Sequence, residues 1–166
     1  MSSAANGRSA PRLSLGSLQR ALEGKKHVAL DTGIFIAATD AGDPRRTCAA
    51  WLVSSVEGGR FRGTISVINA AELFVGAIAK GPAAGITTQS YVRNFPNLTV
   101  TSLTLDLATD AADLSAKTGL SLPDAIVIAT AIAASCDVLI HGDREWRRVQ
   151  TYRPSFPMIY LGDHCA

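Results

Sequence analysis

Five short apolar segments alternate with helix-forming segments along the chain, and this alternation limits the possible folds more than any other feature. The apolar segments are HVALD from residue 27, FRGTISV from 61, NLTVTSL from 97, DVLIH from 137 and PMIYL from 157. A connection between parallel strands needs a long crossover, usually a helix, so strands that alternate with helices predict an α/β domain. The sequence therefore predicts a mostly parallel central sheet covered by helices.

Helix signals lie between the predicted strands. Residues 43–57 predict a helix capped by Asp43, and residues 69–80 predict one capped by Asn69, with Gly81-Pro82 as its stop. The amphipathic stretch that follows the third strand predicts another helix. Residues 123–135 are almost entirely apolar, which predicts a helix that is buried on most sides.

Composition and charge are those of a globular protein. Of the 166 residues, 47% are apolar and 18% are charged, which excludes a disordered chain, and no apolar run is long enough to cross a membrane. The start of the sequence has no apolar signal segment, so a cytoplasmic protein is expected. The cysteines Cys48, Cys136 and Cys165 have no zinc-site spacing, and two are expected to be reduced in the core, with Cys165 in the tail.

We expect two regions along the chain. Residues 1–25 predict a flexible lead, disordered over 1–12 and partly helical over 13–24, and residues 26–166 predict one folded domain.

The tripeptide Asp31-Thr32-Gly33 is also the catalytic motif of aspartic proteases. Those enzymes need two such aspartates that share a proton, and this chain has one, although a homodimer could supply the second. The alanine-rich helical segments do not suit the β-structured lobes of that class. The protease interpretation is therefore the weaker one.

Four acids on four different segments favour metal chemistry instead. Asp31 ends the first strand, Glu72 lies in the helix after the second, Asp124 begins the apolar helix, and Asp143 follows the fourth strand. In α/β sheets, ligands bind outside the carboxyl ends of the strands. Carboxylates that meet there repel one another, and a divalent cation relieves the repulsion. Oxygen-only ligands favour Mg²⁺ or Mn²⁺ over zinc.

The stretches VALDTGIFIAA, SVINAAELFVG and LPDAIVIATAIAASCDVLIHGDREW resemble the motifs of PIN-domain ribonucleases, in particular VapC-type toxins of toxin–antitoxin pairs. The resemblance implies a three-layer α/β/α fold and an endoribonuclease that depends on Mg²⁺ or Mn²⁺. It implies a cognate antitoxin, a homodimer and an RNA substrate. It assigns the metal-binding and catalytic positions to Asp31, Glu72, Asp124 and Asp143.

The sequence departs from the family pattern at His141, where Thr or Ser commonly stands, and in its long N-terminal lead. His141 is interpreted as a partly buried strand-end residue without a catalytic role, with contact to a phosphate as the alternative, and Glu145 is the substitute for Asp143. RNA backbone contacts are expected from the C-terminal arginines Arg144, Arg147, Arg148 and Arg153.

Three alternatives stay open at this point. The first is a PIN nuclease of RNA processing outside toxin–antitoxin systems, and the second is a non-catalytic PIN-like binding module. The third is a phosphotransfer enzyme with Asp31 as nucleophile, which is disfavoured because Gly33 stands where a second aspartate is usual.

Overall fold

The computed structural model describes residues 14–153 and 155–165, and it confirms the predicted α/β/α architecture. Five strands form one all-parallel sheet in the order β3-β2-β1-β4-β5. The strands are β1 (His27–Leu30), β2 (Arg62–Ser66), β3 (Leu98–Thr101), β4 (Val138–His141) and β5 (Met158–Tyr160). β1 is central, so whatever follows it lies in the middle of the sheet's carboxyl edge.

Eight α-helices accompany the sheet in the described residues. They are α1 (Leu15–Ala21), α2 (Thr32–Thr39), α3 (Arg46–Glu57), α4 (Val67–Ile78), α5 (Pro82–Asn94), α6 (Leu105–Thr118), α7 (Leu122–Ala133) and α8 (Arg147–Tyr152). A 3₁₀ turn, Arg144–Trp146, joins β4 to α8.

Two apolar cores, one on each face of the sheet, produce the three layers. Val28 and Leu30 of β1 pack into a core with α1, α2 and α3, whereas Ala29 packs into a second core with α6 and α7. Successive side chains of a strand point to opposite faces, so β1 supplies both cores. Every residue of α7 from Ala125 to Ala131 is buried, which confirms the predicted buried helix.

Two predicted helix caps were wrong. α3 begins at Arg46, and the Asp43 carboxylate accepts hydrogen bonds from the backbone and guanidinium of Arg45 instead of capping the helix. α4 begins at Val67 with Ser66 as its cap, and Asn69 is the third helical residue. Ser66 and Asn69 form a reciprocal capping box, so Asn69 contributes to the helix start from inside the first turn.

α5 was not predicted, because Gly81-Pro82 was interpreted only as the stop of α4. Pro82 instead begins α5, where its missing N–H and fixed φ are tolerated. The short helix predicted near the start of the chain is confirmed as α1, and Leu18 and Leu22 are buried in the core. The disorder predicted for residues 1–12 lies outside the described residues.

The expectation for the cysteines was also wrong. Cys48 of α3 and Cys165 are paired as a disulfide, with their Cα atoms 6.3 Å apart, and both residues are buried. Their sequence separation of 117 residues gave no sign of the pairing. Cys136 is buried and unpaired in the part of the chain that the structure describes.

Within residues 14–153 and 155–165, none of the helices has both the length and the apolar character that a membrane crossing requires.

Two glycines offer a matched test of the packing around β2. A Cβ atom at Gly63 would lie 2.7 Å from Cγ1 of Val56 and 2.8 Å from Cδ1 of Leu98, whereas one at Gly76 in α4 would meet no atom within 4 Å. We expect Gly63→Ala to reduce the free energy of unfolding by about 1–3 kcal/mol through overpacking. Gly76→Ala is expected to increase it by about 0.5–1 kcal/mol, since alanine favours a helix interior. Urea unfolding of both variants measures this, and equal effects would contradict the packing at β2.

Candidate active site

Asp31 lies directly after β1, at the centre of the sheet's carboxyl edge. Its carboxylate caps α2 and accepts a hydrogen bond from the Thr32 backbone N–H at 2.7 Å. The backbone N–H groups of Gly33 and Gly142 also hydrogen-bond to this carboxylate. The Asp31 backbone N–H donates to the Ile140 carbonyl of β4 at 3.0 Å. Asp31 is therefore held by the start of α2 and by β4 with the loop that follows it.

Close packing explains why the third residue of the Asp-Thr-Gly tripeptide, Gly33, is a glycine. A Cβ atom at Gly33 would lie 3.3 Å from Oδ2 of Asp31 and 3.9 Å from the Cα atom of Gly142. The first of these contacts is tight, so a larger residue would press on the carboxylate. In this chain the glycine allows the start of α2 to pack closely against Asp31 and the loop after β4.

A chain of hydrogen bonds joins Asp31 to the helix after β2. The Thr32 hydroxyl donates to Oε2 of Glu72 and accepts from Nδ2 of Asn69 at 2.9 Å. Oδ1 of Asn69 accepts the backbone N–H of Ser66 at 2.9 Å, and its Nδ2 lies 3.5 Å from Oδ1 of Asp31. Thr32 and Asn69 are buried, so this network positions the exposed Glu72 carboxylate beside Asp31.

The environment of Asp31 makes its charged form unfavourable. Burial, together with the nearby charge of Glu72, raises the pKa of Asp31 to about 6 against the opposing effect of the three backbone N–H groups. A carboxyl that is hard to ionise and lies beside a second acid is typical of a functional site.

Asp124 is the third residue of α7. Its Oδ2 atom accepts a hydrogen bond from the Ser121 hydroxyl at 2.6 Å, and its backbone N–H donates to the same hydroxyl at 3.3 Å. α7 leads into the amino end of β4, so the start of the helix lies toward the carboxyl edge of the sheet. Asp124 is partly exposed there and acts as part of the helix cap.

Asp143 follows β4 on the same edge and is exposed. Its carboxylate caps the 3₁₀ turn by accepting the backbone N–H of Glu145 at 2.8 Å. Glu145, the substitute for this position, is also exposed and lies 3.7 Å from the Arg148 guanidinium. The backbone N–H of Gly142, next to Asp143, contacts the Asp31 carboxylate.

The structure therefore brings Asp31 and Glu72 together through Thr32, and it places Asp124 and Asp143 on the same edge with local capping partners. Among the described residues, no three His, Cys, Asp or Glu side chains already form a group that could hold a metal ion. The chemistry of the donors fits a hard divalent cation, because all four are carboxylates and Asp31 is held in a partly buried position.

His141 lies beneath this edge and is only 2% exposed. Its ring stacks on Trp146 with a centroid distance of 5.2 Å, and burial lowers its pKa to about 4. Neither Nδ1 of His141 nor Nε1 of Trp146 has a hydrogen-bond partner in the described part of the chain. The residue is neutral at neutral pH and too deeply buried to meet a phosphate on the surface, which agrees with the strand-end interpretation.

Arg45 is a candidate site residue that the sequence analysis missed. Asp43 holds its guanidinium through Nε at 3.0 Å and Nη2 at 2.7 Å, and Nη1 donates to the Gly142 carbonyl at 3.2 Å. Its positive charge is near enough to interact with Asp31. The dipeptide Arg45-Arg46 at a helix start gave no sign of this role, because the contact with Gly142 spans 97 residues.

The C-terminal arginines Arg144 and Arg147 differ in their partners, because only Arg147 is paired with an acid. Arg147 forms an ion pair with Asp163 at 2.8 Å, whereas the Arg144 Nε donates to the Tyr160 hydroxyl at 3.2 Å and its guanidinium lies 5.5 Å from that ring. Arg144 directly follows Asp143, so it presents an exposed cation beside the acidic edge.

A family model described as PIN domain matches residues 28–151. This span includes β1 to β4 and all four candidate acids. No curated protein sequence matches the chain.

Solved structures share the fold at low sequence identity. A toxin–antitoxin complex from Klebsiella pneumoniae is 23% identical, with 72% of this chain and 89% of that chain covered and a TM-score of 0.55. VapC20 of Mycobacterium tuberculosis, a sarcin-ricin loop cleaving toxin, is 20% identical, with 74% and 94% covered and a TM-score of 0.61. DNA-bound VapBC from Salmonella typhimurium is 20% identical, with 82% and 98% covered and a TM-score of 0.55.

The raised pKa of Asp31 predicts how the stability of the metal-free protein depends on pH. The folded protein holds the Asp31 proton more tightly than the unfolded chain does, so stability should increase as pH falls through about 6. From pH 7.5 to pH 5 this contributes about 1 kcal/mol to the free energy of unfolding. Asp31→Asn should lose this contribution, and Asp110→Asn on the exposed side of α6 should keep it. Urea unfolding in EDTA at both pH values measures it, and an unchanged pH dependence in Asp31→Asn would refute the assignment.

Proposed function

The chain belongs to the PIN domain family, and on this premise we propose that it is a metal-dependent endoribonuclease, the toxin of a toxin–antitoxin pair. The observation that supports this most is the partly buried Asp31 carboxylate, joined through Thr32 to Glu72 at the carboxyl edge of a parallel sheet. Ligand sites of α/β proteins occur at this edge.

Asp31, Glu72, Asp124 and Asp143 would hold one or two Mg²⁺ or Mn²⁺ ions in this proposal. When bound, such a cation supplies a polarised water molecule and neutralises charge on the phosphate. Asp31 is the fixed ligand, because three backbone N–H groups hold its carboxylate. Thr32 and Asn69 orient Glu72, and Asp124 can also accept a proton from the attacking water.

Arg45 and Arg144 would position the RNA backbone beside these acids. The Arg45 guanidinium is held by Asp43 and Gly142, so it loses little conformational freedom when a phosphate binds. Arg144 is exposed next to Asp143 and rests against Tyr160. Cations on both sides of an acidic site offset the repulsion between the carboxylates and the phosphates.

Two alternatives use the same fold. A PIN nuclease of RNA processing would have the same chemistry with a different biological role, and a non-catalytic module would bind without cleaving. The toxin assignment is supported by the neighbouring structures, which are described as a loop-cleaving toxin and as toxin–antitoxin complexes. The retained acids support catalysis over binding alone.

We expect the purified protein to cleave single-stranded or looped RNA with Mg²⁺ or Mn²⁺, and EDTA to stop the reaction. Asp31→Asn should lower the cleavage rate about a hundredfold or more, since an amide is a poorer ligand. Thr32→Val should lower it less, because it removes the hydroxyl that contacts Glu72 and Asn69 but keeps the Asp31 carboxylate. Asp110→Asn should retain full activity.

A labelled RNA oligonucleotide and gel analysis measure these rates. Cleavage that persists in EDTA, or equal activity in Asp31→Asn and Asp110→Asn, would contradict the metal site. Metal-independent cleavage of a peptide at acid pH, lost in Asp31→Asn, would support the protease interpretation instead.

We propose that an antitoxin binds in an apolar groove that extends to Glu72 at the acidic edge. A cavity of about 590 Å³ lies between α2, α4 and α5, and Glu72 lines it together with Phe35, Leu73 and Tyr91. The same three helices expose large apolar side chains, namely Ile36, Val75, Ile78 and Ile86, and Ile36 lines the groove. Exposed apolar surface is typical of protein interaction sites.

The partner prediction concerns assembly. We expect a homodimer by light scattering, because helices α4 and α5 expose apolar side chains that water disfavours. Ile86→Glu should weaken assembly or antitoxin binding, and Arg93→Gln, also exposed on α5, is the control with the same charge change of one unit. A wild-type monomer at high concentration, without toxicity when expressed alone, would contradict the toxin role and leave the nuclease proposal standing.

A further inference from the structure

A second concave surface lies at the amino ends of β1 and β2, and its lining is cationic. This cleft has a volume of about 500 Å³ and is formed by α1, the turn after it and the residues before β2. Arg20, Lys25, Lys26 and Arg60 line it, with Glu23 as the one acid in the described lining. The lining carries a net charge of +3, whereas the whole chain carries +2. We call this surface the α1 cleft.

The positive charge of the α1 cleft is not compensated by ion pairs. None of the four cations is in a salt bridge within residues 14–153 and 155–165. Asp137, which precedes β4, accepts the backbone N–H groups of Lys26 and His27 at 2.7 and 2.9 Å, and its charge also interacts with that of Lys25.

Arg60 is held in place by aromatic rings. Its guanidinium lies 5.3 Å from the Trp51 ring centroid and 5.7 Å from that of Phe61, and the two rings pack edge to face. Cation–π contacts of this kind restrict the motion of the guanidinium, and its N–H groups can still donate to an acceptor. The cleft thus has one oriented donor group beside three flexible cations.

The α1 cleft is separate from the acidic edge. Lys26 precedes β1 and Asp31 follows it, so the two surfaces lie at opposite ends of the same strand. Lys26 and Asp31 are five residues apart along the strand direction, so at about 3.3 Å per residue they lie on the order of 16 Å from each other. The acidic residues therefore do not account for the cations of the cleft.

We propose that the α1 cleft binds a phosphate-bearing anion. An arginine fork with several ammonium groups matches a phosphate, and a concave surface of one charge sign concentrates counter-ions. The phosphate can belong to an RNA backbone or to a free nucleoside triphosphate, and both present the same oxygens. The inference does not depend on the proposed nuclease activity, because it concerns the opposite edge of the sheet.

Binding is tested on the full chain in EDTA, with ATP and with a short single-stranded RNA as separate probes. NMR follows the backbone amides of Gly24, Lys25, Lys26 and Arg60, and fluorescence titration gives the affinity. The variant Arg20→Gln/Lys26→Gln removes two exposed cations of the cleft. The control Lys80→Gln/Arg93→Gln removes two exposed cations from the α4 and α5 side.

We expect the amides of the cleft to shift and the cleft variant to lose about tenfold in affinity, with little change in the control. For RNA, the slope of log affinity against log salt should become shallower by about 1.4, because each lost phosphate contact removes about 0.7. Arg60→Gln should weaken binding as well, and a melting curve for each variant checks that the fold is intact.

The outcomes distinguish the sources of phosphate. Loss of RNA binding alone in the cleft variant assigns the site to the RNA backbone, and loss of ATP binding as well assigns it to phosphate groups in general. Equal loss in the cleft and control variants would reduce the effect to general charge attraction and overturn the proposal. Absence of shifts at the cleft amides with both probes would overturn it too.

Discussion

The partly buried carboxylate of Asp31 is the constraint around which the active edge of this protein is arranged. Removing a carboxylate from water is unfavourable unless the fold supplies donors or a cation. Here the loop after β4 and the start of α2 supply backbone N–H groups, and they must approach closely to do so. Gly33 and Gly142 leave the space for that approach. Burial still outweighs these hydrogen bonds and raises the pKa of Asp31 to about 6.

The order of the parallel strands brings other polar residues close to Asp31. β1 is central, with β2 on one side and β4 on the other, so three carboxyl ends meet around Asp31. The Thr32 hydroxyl donates a hydrogen bond to Glu72 on α4. The Arg45 guanidinium donates one to the Gly142 carbonyl in the loop after β4. Asp124 and Asp143 keep local capping hydrogen bonds on the same edge.

Local patterns predicted the framework of the fold. The apolar strands and α7 have signals that follow from burial within one segment, and the structure confirms them. α5 escaped prediction because few of its residues are buried and Pro82 signals a helix start as well as a stop. The four acids could be named from their places beside strand ends, and their roles stay predictions.

Long-range contacts could not be predicted from the sequence. The hydrogen bonds of Thr32 with Asn69 and Glu72 span 37 and 40 residues, and the contact of Arg45 with Gly142 spans 97. The pairing of Cys48 with Cys165 spans 117 residues. None of these pairs has a periodic pattern or a short motif. They depend on which segments the sheet order makes neighbours, and that order follows from the fold as a whole.

The central claim is that Asp31 and its neighbouring acids bind a divalent cation, and anomalous diffraction from crystals soaked in Mn²⁺ tests it most directly. The account predicts an anomalous peak within coordination distance of the Asp31 carboxylate, about 2.1 Å for an octahedral cation of this kind. Further ligands should come from Glu72, Asp124 and Asp143. Peaks found only on other parts of the surface, with the Asp31 carboxylate still bound solely to backbone N–H groups, would contradict the claim.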